Sequence, residues 1–150
     1  MTNYFSAFIT ATFLSIILTP LVSMLACKIG AIDKPNNRKI HNKLIPRLGG
    51  LAIYLSFVIA ILIHFEYIGN HTKGLLVGSF IIVLCGVIDD IKELHYRTKL
   101  IFQLIASIVL IFHGILITNV SMLSIDGTSY LQLGWLSIPI TILWVMVSFT

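Results

Sequence analysis

The stretch Asp33-Lys-Pro-Asn-Asn-Arg-Lys-Ile-His-Asn-Lys-Leu-Ile-Pro-Arg-Leu-Gly-Gly50 decides how this chain is read. It is a long polar segment in an otherwise very apolar sequence. It carries Lys34, Arg38, Lys39, Lys43 and Arg47, five of the ten basic residues. Charge-free hydrophobic runs lie on both sides of it. Crossing a hydrocarbon core takes about 20 predominantly apolar residues. A basic segment held between two such runs sits at a membrane surface and suits an anionic partner: lipid headgroups, a phosphorylated ligand, or both.

Composition agrees. Of 150 residues, 57% are hydrophobic and only 11% charged, against about 25% charged in a soluble domain. That shortage excludes a water-soluble surface and points to an integral membrane protein in contact with the lipid bilayer. The net charge of +4 is concentrated in connections between apolar runs, so no nucleic-acid partner is expected. Cys27 and Cys85 flank such runs and suggest no disulfide framework.

Working outward, the apolar pattern predicts an all-α, polytopic transmembrane bundle forming one domain over residues 1–150. Its spans are 5–26, 48–65, 74–88, 100–117 and 135–150. Pro20 predicts a kink late in the first. Residues 1–4 carry no basic side chain, which argues against a cleaved signal peptide. The third run has only 15 residues, about 22 Å of helix, short of a core of about 30 Å. Either it borrows Tyr67-Ile68, or its far end continues polar and holds Asp89-Asp90 at headgroup depth. Residues 89–99 are read as a second charged loop, and 118–134 as a polar connection with a turn at Asp126-Gly127. Lys28, Lys34, Arg38, Lys39, Lys43, Arg47, Lys92, Arg97 and Lys99 fall in or beside the first and third connections, and only Lys73 in the second. The positive-inside rule then sets the N-terminus outside and both charged loops in the cytoplasm.

Asp89 and Asp90 are the sharpest chemical feature. Ionisable residues at a membrane boundary are costly and mark function by default. Adjacent residues on a helix point about 100° apart, so the two carboxylates can do different work. One can act as a general base, and one or both can give oxygen ligands to a divalent cation. The bland alternative is a solvated pair at a helix end. Lys99 and Gln103, four apart, share a face; Lys99 suits a phosphate, or simply snorkels. Pro46-Arg47-Leu48-Gly49-Gly50 opens a helix where backbone can approach an anion, with Arg47 able to grip a phosphate. His41 lies between basic neighbours. His64 and His113 show no metal spacing and read as packing residues.

Taken in order, Asp33-x-Pro-x-x-Arg-Lys-x-His41, Pro46-Arg47-x-Gly49-Gly50, Gly86-x-x-Asp89-Asp90 and Lys99-x-x-x-Gln103 resemble the polyprenyl-phosphate N-acetylhexosamine-1-phosphate transferases, the superfamily of MraY, WecA and TagO. The Arg-Lys-x-His and Pro-Arg-x-Gly-Gly forms are closer to the WecA/TagO branch. The resemblance implies attack of undecaprenyl phosphate on a UDP-sugar, UDP-GlcNAc first among them, with release of UMP at a bacterial inner (plasma) membrane. It implies Mg²⁺ as cofactor. Asp89 and Asp90 would be the paired catalytic and metal-binding aspartates, and Lys43, Arg47, Lys99 and His41 the phosphate-binding set. The superfamily's Asn-x-x-Asn-x-x-Asp-Gly-x-Asp-Gly stretch and a later His-rich loop have no match here, so the chain resembles the N-terminal half of such an enzyme. A homodimer is left open. The rival readings are an inactive fragment or a scaffold for anionic lipid, which explain the charge pattern but not the ordered motifs. A cation transporter would need carboxylates deeper in a bundle.

Overall fold

The computed structural model describes residues 2–33, 45–124 and 127–149. Lys34, Arg38, Lys39, His41 and Lys43 therefore lie outside the described residues. The elements are α1 (Thr2–Ile29), β1 (Ile32–Asp33), β2 (Ile45–Pro46), α2 (Gly49–His64), α3 (Asn70–Lys92), α4 (Tyr96–Phe112), β3 (Asn119–Ser124), β4 (Gly127–Gln132), a 3₁₀ turn (Gly134–Leu136) and α5 (Ser137–Ser148).

Five helices thus occupy the five apolar runs. Two of them, over Tyr4–Ile29 and Asn70–Lys92, are long and apolar enough to cross a membrane. α2, α4 and α5 have 16, 17 and 12 residues, fewer than the usual 20 or so. Pro20 lies inside α1, which continues as helix on both sides of it.

Three expectations need correction. The third helix starts at Asn70 rather than 74, and of the two alternatives for its short apolar run the polar continuation is the one seen, through Asp89-Asp90 to Lys92. Residues 89–99 are accordingly not a loop, because only Glu93-Leu94-His95 separate α3 from α4. Hydropathy marks where a helix meets hydrocarbon, not where its hydrogen bonds stop. The fourth helix is not 100–117 but 96–112. It ends because Gly114 takes φ +81°, and Ile115 N–H then bonds Leu110 C=O at 3.0 Å, a Schellman closure that glycine makes cheap. Finally, 118–134 is more than a polar connection. β3 and β4 pair antiparallel, Asn119 opposite Gln132 through Ser124 opposite Gly127. The adjacent apolar pairs Met122-Leu123 and Tyr130-Leu131 break the alternation that announces a strand.

The chain forms two compact units. The first comprises 1–68 and 82–95, the second 69–81 and 96–150. In the first, α1 ends on a second Schellman turn: Gly30 has φ +81° and Ala31 N–H bonds Ala26 C=O at 3.0 Å. Ala26 and Ala31 are fully buried there with Val22, Leu48 and Ala52. At the other end of this helix pair, His64 packs as expected. Thr10 Oγ1 lies 2.8 Å from its Nε2 and Ser6 Oγ 3.3 Å from its Nδ1. Thr10 already donates to Ser6 C=O, so His64 Nε2–H is the donor to Thr10.

In the second unit, Gly74 and Gly78, one turn apart on α3, let α4 approach. A Cβ on Gly74 would collide with the His113 side chain, and one on Gly78 would stand 3.1 Å from Leu110. This is the small-residue contact by which helices pack where lipid removes the hydrophobic drive between them. Asn70 Nδ2 donates to His113 C=O at 3.3 Å.

Burial among the described residues is inverted relative to a soluble protein. The buried side chains are mostly small or polar, such as Ala52, Ser56, Ala60, Ala106, Ser107 and Thr141, whereas Phe8, Phe13, Ile16 and Trp144 are exposed by more than 60%. The hydroxyls are satisfied locally. Thr12, Thr19, Ser56, Ser79, Ser107, Thr141 and Ser148 each donate to the carbonyl four residues back.

Gly74→Val is expected to destabilise the protein by about 1–3 kcal/mol through overpacking, whereas Gly86→Ala, whose Cβ meets nothing within 4 Å, should leave stability unchanged or slightly raised. Thermal unfolding in detergent checks the contrast, and equal melting temperatures for both variants would contradict the Gly74–His113 contact.

Candidate active site

The site is built where the two ends of the basic stretch are pinned. Ile32 pairs with Pro46 and Asp33 with Ile45. Arg47 N–H donates to Ala31 C=O at 3.1 Å. This ties the Pro-Arg-Leu-Gly-Gly stretch to the turn that ends α1. Leu48, 2% exposed, plugs into the alanine-rich core. α2 then begins at Gly49, with no side chain capping it and no acidic residue in its first turn. Gly49 N–H bonds Arg47 C=O at 2.9 Å and Leu51 N–H bonds Leu48 C=O at 3.2 Å, so the partial positive charge of the helix start, more than free donors, is what favours an anion there.

Opposite this start lies the C-terminal half of α3. Leu48, Gly50 and Leu51 line a cavity of about 90 Å³ together with Val83, Gly86, Val87 and Asp90. The structure thus brings two of the sequence motifs, Pro-Arg-x-Gly-Gly and Gly-x-x-Asp-Asp, onto one cavity. A Cβ added to Gly50 or Gly86 would meet nothing within 4 Å, so these two cavity-lining glycines leave open space beside the carboxylate rather than permitting tight packing. A volume of about 90 Å³ holds a few waters or one phosphate-sized group, and is well below the roughly 300–1,000 Å³ of a whole ligand site.

The two aspartates differ. Asp90 lines the cavity. Asp89 is drawn into the end of its own helix. Its carbonyl accepts Glu93 N–H at 2.8 Å, and its Oδ1 accepts Leu94 N–H at 2.9 Å. Glu93 carries φ +48°, a left-handed conformation that costs a non-glycine residue about 1 kcal/mol. Asp89 therefore helps hold a strained turn directly after the cavity carboxylate. Sequence alone places the pair on different faces but does not assign which face does what.

The remaining site candidates are placed as follows. Lys99 belongs to the second unit, half-buried in the first turn of α4, one turn before Gln103. Its neighbour Arg97 donates through Nε to the Tyr96 hydroxyl at 3.1 Å and stacks near that ring. Gln103 is 6% exposed. It donates from Nε2 to Phe149 C=O at 2.9 Å, while its buried Oε1 has no partner among the described residues, an arrangement that costs about 1–3 kcal/mol. His41 and Lys43 lie outside the described residues. No group of three or more His, Cys, Asp or Glu among the described residues is placed to hold a metal. Neither Cys27 nor Cys85 is in a disulfide.

Residues 72–149 match the model of glycosyl transferase family 4, and 93% of the chain aligns at 37% identity with a relative from Bacillus subtilis named "Probable undecaprenyl-phosphate N-acetylglucosaminyl 1-phosphate transferase". The chain belongs to glycosyl transferase family 4. A Mycobacterium tuberculosis relative, a decaprenyl-phosphate N-acetylglucosaminephosphotransferase, is 33% identical over 71% of this chain. An Escherichia coli undecaprenyl-phosphate alpha-N-acetylglucosaminyl 1-phosphate transferase is 32% identical over 59%. This family-4 chain spans 38%, 28% and 24% of the lengths of these three relatives. No solved structure matches it significantly. Its apolar helices and its kinship with enzymes of membrane-lipid substrates make it a membrane protein.

Asp89→Ala should cost about 1–2 kcal/mol by leaving Leu94 N–H without its acceptor, whereas Asp89→Asn keeps an Oδ1 and most of that stability. Asp90→Asn should cost less than Asp89→Ala. Chemical denaturation of the three purified variants checks the order; a larger loss for Asp90→Asn than for Asp89→Ala would overturn the division of roles.

Proposed function

We propose that this chain serves the transfer of N-acetylglucosamine 1-phosphate, or a related sugar 1-phosphate, from a UDP-sugar to undecaprenyl phosphate, as the first membrane step of a cell-envelope polysaccharide pathway. The observation that carries the reading is the cavity that Leu48, Gly50 and Leu51 share with Gly86, Val87 and Asp90 in a chain of this family. It joins an anion-favouring helix start to a carboxylate at the end of an apolar helix. The names of the relatives supply the lipid phosphate and the N-acetylglucosaminyl 1-phosphate group; the UDP carrier follows from the motif resemblance.

In this reaction a non-bridging oxygen of the lipid phosphate attacks the sugar-bearing β-phosphorus. The bond from that phosphorus to the bridging oxygen breaks, UMP leaves with that oxygen, and a lipid-linked sugar pyrophosphate is formed. In our assignment Asp90 faces the reacting groups and takes up the lipid phosphate's proton where that phosphate is protonated. Asp89 keeps the turn after it in place. The first turn of α2 and Arg47 receive a phosphate oxygen. By resemblance, Lys99, Lys43 and His41 also contact phosphates.

Two carboxylates and no larger donor cluster among the described residues fit Mg²⁺, which is commonly held by one or two carboxylates plus substrate phosphates. Asp90, which lines the cavity, would hold it. When bound, Mg²⁺ neutralises charge developing on the diphosphate. We further assign five membrane spans, the N-terminus outside and the charged segments cytoplasmic, because nine of ten basic residues fall on that side. The shorter helices α2, α4 and α5 are completed by flanking residues in this assignment.

The test uses membranes carrying the chain, alone and together with the C-terminal remainder of the Bacillus subtilis relative, supplied with radiolabelled UDP-GlcNAc, undecaprenyl phosphate and Mg²⁺. Label should enter the lipid fraction and be lost on chelation. Asp90→Asn should lower the rate by about 10²-fold or more, and Asp89→Asn by less. Absence of lipid-linked label from the correctly inserted pair would sink the proposal and favour a scaffold that binds anionic lipid.

A further inference from the structure

The Lys99-x-x-x-Gln103 motif is only half used by the chemistry above: Lys99 has a role and Gln103 has none. Yet Gln103 is the more deeply placed of the two, 6% exposed. Its amide reaches out of α4 and donates to the carbonyl of Phe149, the residue that ends α5, at 2.9 Å. Phe149 N–H bonds Met146 C=O at 3.3 Å, so the last turn of α5 is tightened where the amide takes hold. At its other end α5 is tied by a second polar contact, Ile117 N–H to Thr141 Oγ1 at 2.9 Å. Ala106, Ser107, Thr141 and Val145 are buried small or β-branched residues on the same two helices, so van der Waals packing sets their spacing and Gln103 sets their register. Lys99 and Gln103 are i and i+4 on one face of α4. Whatever fixes Gln103 also fixes the turn that carries Lys99.

We propose that Gln103 is a positioning residue, whose side-chain amide clamps the end of α5 to the first turns of α4 and thereby holds Lys99 in place for its phosphate. A buried, half-paired amide in an apolar setting is disfavoured unless it does something that an apolar side chain cannot. A directional bond to one backbone carbonyl is such a thing, because a leucine or methionine would fill the space without choosing a register. The inference about Lys99 rests on the proposed function; the clamp itself does not.

The experiment separates the two. In a Cys27→Ser, Cys85→Ala background, spin labels at Leu104→Cys on α4 and Val147→Cys on α5, both exposed positions, report the distance between the helices in detergent or vesicles. Gln103→Met removes the donor and keeps the bulk. Its distance distribution should broaden about two-fold or more at every pH. Gln103→Glu cannot donate as a carboxylate but can once protonated, so its distribution should be broad near pH ~8 and narrow as the pH falls towards about 5. α5 carries no titratable side chain; those on or next to α4 are His95, Tyr96, Arg97, Lys99 and His113, all present in the parent too, so the parent's distribution at both pH values is the control, and it should not change. A Gln103→Met distribution as narrow as the parent's would overturn the clamp, and so would a Gln103→Glu distribution that ignores pH. In the transfer assay, KM for the sugar nucleotide should rise about three- to ten-fold in Gln103→Met, the worth of one hydrogen bond, with kcat changed less, and Gln103→Glu should recover at low pH. If the parent protein transfers no label, the functional reading falls while the distance measurement still decides the clamp.

Discussion

The hydrogen bond from Arg47 N–H to Ala31 C=O is the constraint on which the first unit depends. Ala31 is already committed, its own N–H closing the turn that ends α1, and it has no exposure to spare. Joining Arg47 to it fixes where the basic stretch returns, pairs Pro46 with Ile32, and delivers Leu48 into the core. From that point α2 can begin only at Gly49, and its first turn comes to line the cavity with Asp90. A backbone contact between alanine and arginine thus determines the address of the site.

The rest follows from solvent. Large apolar side chains gain little by leaving hydrocarbon, so Phe8, Phe13 and Ile16 stay outside while alanine, serine and glycine make the contacts. Close approach then needs positions with no side chain at all. Gly74 and Gly78 supply it against α4, and Gly50 and Gly86 supply the opposite, empty volume, beside Asp90. The same residue type serves packing in one unit and access in the other. Its neighbours decide which.

Much of this is legible in the sequence. The five apolar runs locate five helices, the Gly-Gly dipeptide opens α2, and His64 and His113 are packing residues. The ordered motifs identify the family. What the sequence hides has physical causes. The polar residues at Asn70–Lys73 and the charged ones at Asp89–Lys92 end only the apolar part of α3, not the helix. Gly114 stops α4 early, and a lone glycine after an apolar run does not announce its left-handed turn. The β3–β4 pairing is hidden by adjacent apolar residues on each strand. At the site, the doublet Asp89-Asp90 is legible as a pair, but the different work of its members is not. That depends on a turn at Glu93 whose strained backbone has no signature in the sequence.

The hydroxyls that bond back to the carbonyl four residues earlier bear on how such a chain is made. Thr12, Thr19, Ser56, Ser79, Ser107, Thr141 and Ser148 bring their acceptors with them on the same helix. A helix that enters lipid carries these hydroxyl donors already satisfied, before a neighbour exists to receive them. The bonds that do need a neighbour, such as His64 to Thr10 and Gln103 to Phe149, belong to assembly, after insertion is complete. They mark the partners that each helix must wait for.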